Sequence, residues 1–258
     1  MMNITPTVRN LLIINVVAFL AFSYFGSSAP FALYDFRSQY FRPYQFFTYM
    51  FMHGNFGHLF SNMLSLFIFG PMLEYRWGAQ RFLIFYLVCG IGAGILYTGV
   101  RTYEFGNMQQ QMESFLVNPS PEGLNAFLED HLEGSYNKQA IVEYKRNADD
   151  PTIIAASKKA IKNIYESIIN TPMVGASGAV FGLLLAFGML FPNTELFLLF
   201  FPFPIKAKYF VLFYGAYELY AGVKRMPGDN VAHYAHLGGM LFAFILIKVW
   251  ERNRTDFY

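Results

Sequence analysis

Six stretches of this chain stay apolar long enough to be read as helices crossing a bilayer, whose hydrocarbon core of about 30 Å takes about 20 residues of α-helix. They run roughly over 10–25, 55–73, 82–100, 174–191, 207–221 and 231–250, the first and fifth being short. The apolar run ahead of the second begins near Phe41 and is too long for one crossing. Pro43, Gly54 and Gly57 divide it, so "FRPYQFFTYMFM" is read as aromatic-rich structure at the membrane interface. "ELFLLFFPFPIK", 195–206, is apolar too, but Pro202 and Pro204 interrupt it, and it is read as a second interfacial loop.

Between the third and fourth apolar segments the pattern changes. Residues 101–170 carry ten acidic and seven basic side chains, with Pro119 and Pro121 close together and "ADDP" at 148–151. The last part, "TIIAASKKAIKNIYESIIN", spaces Ile153, Ile154, Ile161, Ile164, Ile168 and Ile169 close to a helical period with lysines between them, which predicts an amphipathic helix. The predicted organisation is therefore an all-α membrane protein: a six-helix transmembrane bundle made by 1–100 and 171–258 as one membrane domain, with a large, polar, partly helical extracytoplasmic insertion at 101–170.

Composition agrees with the pattern, since 55% hydrophobic and 14% charged residues leave too little polar surface for a soluble globule of 258 residues. A formal net charge of +2 without any long basic run gives no reason to expect nucleic acid as a partner. Cys89 is the only cysteine, which excludes an internal disulfide and any multi-cysteine metal site. Arg9 before an apolar run that ends near "SSAP" has the outline of a signal peptide, but the run is long and Pro30 follows the small residues, so a retained helix is expected. Orientation follows from the cations beside the crossings. With the amino terminus inside, Arg9, Arg76, Arg81, Lys206, Lys208, Lys248, Arg252 and Arg254 lie inside, against Arg37, Arg42, Lys224 and Arg225 outside. Both termini are thus expected in the cytoplasm, in a bacterial inner membrane.

Polar residues within apolar segments cost a few kcal/mol each unless paired or facing a wet cavity. Three groups stand out: "HGNFGHLFSN" with His53, His58 and Asn62; Ser177 within Gly175-Ala176-Ser177-Gly178; and His233 and His236 in "HYAHLGG". Singly, each has an ordinary structural explanation. Gly178 with Gly182, and Gly239 with Ala243, fit the small-xxx-small spacing of closely packed membrane helices, and intramembrane histidines commonly serve as interhelical hydrogen-bonding groups.

Together they have the parts of a hydrolase. A serine hydroxyl needs a base, an imidazole suits that task near neutral pH, and the oxyanion formed on a carbonyl needs donors already aimed at it. His58 and Asn62 are four residues apart and share a helix face. Segments two, four and six all run inward on the chosen orientation, so His58, Ser177 and His236 sit near the same depth, within about two turns of their helix starts.

In this order and on these segments, the motifs resemble those of the rhomboid family of intramembrane serine proteases. The His-x4-His-x3-Asn pattern matches His53, His58 and Asn62; Gly-x-Ser-Gly matches 175–178; Ala-His-x-x-Gly matches Ala235, His236 and Gly239. Glu74 with Gly78 fits the family's Glu-x3-Gly turn, and Phe41-Arg42 stands where the first loop usually has Trp-Arg. The resemblance implies cleavage of a peptide bond in or near a transmembrane segment of a membrane-protein substrate, with Ser177 as nucleophile and His236 as base and then acid. Asn62, His58 and the Ser177 backbone N–H would hold the oxyanion, and His53 would be structural. No acid neighbours His236 in the sequence, which suits a Ser-His dyad, and no metal or cofactor is implied.

Three positions depart from the family pattern without removing a reacting group: Phe181 replaces the usual tyrosine under the catalytic imidazole, Ala243 a glycine, and Phe41 the loop tryptophan. The short fifth segment, with Phe210, Phe213, Tyr214 and Tyr217, followed by "GVKRMPGDN", is expected to form a movable gate and cap over the site. Two other readings use the same residues: a catalytically inactive relative that binds transmembrane helices, and a transporter with His58, His233 and His236 as a proton relay near Glu218. Neither gives Ser177 a task.

Overall fold

The structure, a computed structural model, describes residues 3–132, 134–197, 203–224 and 231–252. Its helices are α1 (Pro6–Phe25), α2 (Gln45–Thr48), α3 (Phe56–Trp77), α4 (Ala79–Val117), α5 (Pro121–Leu132), α6 (Lys138–Arg146), α7 (Pro151–Ile169), α8 (Ser177–Leu190), α9 (Ala207–Lys224) and α10 (His233–Trp250). Each of the six apolar segments coincides with a helix. Among the described residues, α1, α3, α4 and α10 are long and apolar enough to cross a membrane; α8 is apolar but has only 14 residues. The fifth segment, α9, carries Lys208, Glu218 and Lys224, and it does not join those four. Apolar side chains stand exposed along these helices: Ile13, Val17 and Leu20 on α1, Leu212 and Phe213 on α9, Leu241, Phe244 and Val249 on α10. Such surface is suited to hydrocarbon and not to water, as expected of a membrane protein.

The chain divides into two compact units, 1–33 with 42–98 and 172–258, and 34–41 with 99–171. In the first unit α8 is the central helix, packed against α10, α3 and α9 and buried nearly all round. Its pairing with α10 is extensive, and small residues make it close. A Cβ added at Gly239 would collide with the carbonyl of Gly178, and one at Gly182 would lie 3.1 Å from the carbonyl of Gly239. The backbones themselves are therefore in contact, as the small-residue spacing predicts.

At the other end of α3, Glu74 caps α1. Its carboxylate accepts from the Thr5 hydroxyl at 2.5 Å and from the backbone N–H groups of Thr7 and Val8 at 3.0 Å each. These N–H groups have no helical acceptor, and a carboxylate there also suits the helix dipole. Gly78, with φ of +80°, then turns the chain from α3 into α4.

The apolar segment over 82–100 lies within α4, which continues without a break into the second unit as far as Val117. The extension has no proline before Pro119, and it is rich in Gln, Met and Glu. Arg101 lies 3.6 Å from Glu104 and stacks over the Phe105 ring, and Gln109 donates to Glu113. These pairs at i,i+3 and i,i+4 support continued helix. The amphipathic helix expected over 152–170 is α7, started by Pro151 in its first turn and by the Asp150 side chain, which accepts from the Thr152 N–H at 2.7 Å. Phe105, Met108, Phe127, Ile141, Tyr144 and Ile161 are buried in one core shared by α4 to α7.

The chain is not purely helical. Glu195–Leu196 (β1) pairs antiparallel with Ile205–Lys206 (β2) at the base of the proline-containing loop. The interior of that loop at 198–202, including Pro202, lies outside the described residues, as do 225–230 of the expected cap and, among the counted cations, Arg225 and Arg254.

Candidate active site

The stretch leading into α8 is fixed from both sides. Met173 and Leu33 exchange backbone hydrogen bonds at 2.8 and 2.9 Å, and the Gly175 N–H donates to the carbonyl of Tyr49 at 3.0 Å. Tyr49 is held in turn by its hydroxyl, which donates to the carbonyl of Gly90 at 2.6 Å. Gly175 has φ of +126°, a conformation that favours glycine, and a Cβ there would lie 2.6 Å from the imidazole of His58. Two residues later the helix begins at Ser177. The N–H groups of that first turn have no helical acceptor and carry the positive end of the helix dipole.

On the neighbouring α10, Nε2 of His236 lies 2.9 Å from the hydroxyl oxygen of Ser177. The imidazole is stacked on Phe181, one turn along α8 from Ser177, with ring centroids 4.0 Å apart and planes 8° from parallel. The ring that stands in place of the family's tyrosine thus fixes the plane of the imidazole. Nδ1, the other ring nitrogen, lies 2.8 Å from Oε2 of Glu218 on α9, and the same oxygen is 2.6 Å from Nδ1 of His233. Glu218, His233 and His236 are all buried. No acid neighbours His236 in the sequence, but one stands beside it in space. The carboxylate comes from 18 residues earlier, on a different helix.

His58, Asn62 and His53 belong to the other side of the site. Asn55 caps α3, its side chain accepting from the His58 N–H at 2.9 Å, so His58 falls in the first turn. The His58 ring lies against Gly175, two residues from Ser177. Asn62, one turn further on the same face, is buried, and its amide nitrogen has no hydrogen-bond partner among the described residues. Such a donor is open to an acceptor brought by a ligand or to water. His53, in the loop before α3, packs edge-on against His58 with ring centroids 5.1 Å apart. Burial first, and then the proximity of His58, lower its pKa to about 4 against the backbone of Phe51, so this imidazole is neutral at ordinary pH.

The four residues singled out for catalysis thus fall as follows. Ser177 and His236 are in hydrogen-bonding contact, His58 lies against Gly175 two residues from Ser177, and Asn62 sits one turn along α3 with a donor that has no partner among the described residues. Glu218, His233 and His236 are the one cluster among the described residues with the composition of a metal site. Tetrahedral zinc ligands at 2.0–2.1 Å from the metal stand about 3.3 Å apart. The Nδ1 to Oε2 separations of 2.6 and 2.8 Å are instead those of hydrogen bonds.

Comparison with known proteins places the chain among relatives. A Rhomboid domain model matches residues 40–105 and 152–252, more than half of the chain, and passes over 106–151. RHOMBOID-like protein 12, mitochondrial, of Arabidopsis thaliana is 27% identical over 209 residues, covering 80% of this chain and 45% of that protein. An uncharacterized mitochondrial rhomboid protein of Schizosaccharomyces pombe is 27% identical over 213 residues, 79% of this chain and 50% of that one. Rhomboid-like protein 11, chloroplastic, of Arabidopsis thaliana is 42% identical over 53 residues, 20% of this chain and 19% of its own length. The chain spans about half the length of the first two relatives. The two matched stretches contain every residue placed around Ser177, from His53 to His236, and on that match the chain belongs to the rhomboid family.

Proposed function

We propose that this chain is an intramembrane serine endopeptidase that hydrolyses peptide bonds in or near the transmembrane segments of membrane-protein substrates, with Ser177 as nucleophile and His236 as general base. The observation that carries this reading is the 2.9 Å contact between His236 Nε2 and the Ser177 hydroxyl, made by two helices whose backbones touch at Gly178 and Gly239. A packing motif alone would need the glycines but not a serine aimed at an imidazole.

In the proposed reaction His236 Nε2 takes the Ser177 proton as the hydroxyl oxygen attacks the scissile carbonyl carbon. The resulting oxyanion accepts from the Ser177 backbone N–H, the Asn62 amide and His58. His236 then gives the proton to the leaving amine, and a water repeats the sequence to release the acyl group. Losing one oxyanion donor typically costs about a hundred- to a thousandfold in rate, so Asn62 and His58 are substantial parts of the proposal.

The wider setting belongs to the same proposal. Six crossings, the four long apolar helices with α8 and α9, would leave both termini on one side, and the cation count favours the cytoplasm for that side. Residues 1–100 and 171–258 form the membrane domain, and 101–170 an extracytoplasmic insertion. The sequence expectation of a bacterial inner membrane has no counterpart in the relatives, whose names place them in mitochondria and a chloroplast. A multi-pass membrane protein is the location retained. Substrate helices and the surrounding lipid are the proposed partners.

The test is cleavage of a fluorogenic transmembrane substrate by the purified full chain in proteoliposomes, beside Ser177→Ala and His236→Ala. Turnover by the wild type, lowered at least about a thousandfold in both variants, is the expected result. Cleavage that survives Ser177→Ala rejects the protease. A wild type that binds substrate helices without cutting them identifies an inactive relative.

A further inference from the structure

Glu218 is unusual for its surroundings. It stands in "FYGAYELYAG", nearly three helical turns otherwise free of charge, and it is buried. An unpaired carboxylate there would cost several kcal/mol. Its Oε2 is met by Nδ1 of His236 at 2.8 Å and by Nδ1 of His233 at 2.6 Å. An ionised carboxylate can only accept, so each short contact requires an N–H on the imidazole side. A neutral imidazole carries one N–H. Protonation of His236 at Nδ1 therefore leaves Nε2 with a lone pair, and Nε2 is the atom that faces the Ser177 hydroxyl.

Resting on the protease reading above, we propose that Glu218 is the positioning acid of this site. It holds His236 in the tautomer that can act as base and steadies the imidazolium formed when Ser177 loses its proton, while His233 binds the same oxygen and fixes the carboxylate. The arrangement is a serine, histidine and glutamate relay built from three helices, α8, α10 and α9. No proton needs to pass to Glu218. The proton taken from Ser177 stays on Nε2 until it reaches the leaving amine, and Nδ1–H remains directed at Oε2 throughout. Phe181 sets the plane of the ring, and Glu218 sets which nitrogen carries the proton.

The experiment compares full-length wild type, Glu218→Gln, Glu218→Asp and His233→Asn in proteoliposomes by three readouts: kcat and KM on a transmembrane substrate, the rate of Ser177 labelling by a fluorophosphonate, and the melting temperature. Glu218→Gln keeps the size of the side chain but can present an N–H to Nδ1 and favour the wrong tautomer. It is expected to lower kcat and the labelling rate together by about a hundredfold to ten-thousandfold, with KM changed less than about twofold and melting within a few degrees. Glu218→Asp should recover part of both rates, and His233→Asn should lower them about tenfold.

Glu218→Gln within twofold of wild type in both rates overturns the inference while leaving the protease reading intact. So does a loss in which all Glu218 variants melt early and Glu218→Asp recovers stability without recovering labelling. Micromolar zinc that blocks the wild type but not Glu218→Gln would overturn it in favour of a metal-binding site. Absence of Ser177 labelling in the wild type overturns the protease reading and this inference together.

Discussion

The two units solve opposite solvent problems. In the first, helices turn apolar side chains outward and keep polar ones inside: α1 exposes Ile13, Val17 and Leu20, while Asn15, Asn62, Glu74, Glu218, His233, His236 and Glu251 are buried. In the second, α5 to α7 bury Leu124, Phe127, Ile141 and Ile161 and leave Val142 as the only large hydrophobic residue exposed on them. These three helices therefore follow the pattern of helices packed in water, in which burial of apolar area supplies the stability. In the first unit, lipid already surrounds apolar side chains, so close packing and interhelical hydrogen bonds must supply specificity. Its buried polar residues are informative for that reason, and three of its buried carboxylates have named partners. Glu74 caps α1, Glu251 accepts from Arg76 at 3.0 Å and from the Trp77 indole at 3.2 Å, and Glu218 anchors two histidines.

Three substitutions press on this contrast, from the largest effect to the smallest. Ile161→Ala removes a fully buried side chain from the second unit and should cost about 2–5 kcal/mol there. Hydrogen exchange should show protection lost over 121–169 and kept over 177–190; loss in both regions at once would merge the two cores into one. Gly239→Ala places a methyl group against the Gly178 carbonyl in the first unit. Overpacking of about 1–3 kcal/mol is expected, together with a larger loss of turnover than of stability, because Ser177 and His236 are pushed apart. A melting curve and a cleavage rate on the same sample check it, and unchanged turnover would show that the helices can adjust. Glu74→Gln weakens the cap of α1 and should cost about 1 kcal/mol, seen as a small drop in melting temperature with turnover retained.

Much of the first unit was legible in the pattern of residues. Helix positions followed from apolar length, the shared face of His58 and Asn62 from their spacing of four, and the contact of α8 with α10 from Gly178 and Gly239, because each of these signals is local. What escaped was long-range. The proton-relay reading puts Glu218 near His233 and His236, but because it lies on a helix of its own, its direct contact with His236 has no signature in nearby residues. The available clue was energetic, a single carboxylate in a long apolar and aromatic run that has to find a partner. Likewise Glu74 was visible as part of a turn, but its role in capping α1 depends on residues 66 to 69 positions earlier. The apolar segment over 82–100 marks only the first part of α4; the helix continues on propensity and side-chain pairs after the apolar run ends.

The central claim is that Ser177 is an activated nucleophile because His236 stands at its hydroxyl. Mass spectrometry of the full chain after treatment with a fluorophosphonate tests it most directly. The account predicts a single adduct on Ser177, absent from His236→Ala protein that still melts like the wild type. Labelling of Ser177 at an undiminished rate in His236→Ala would contradict it.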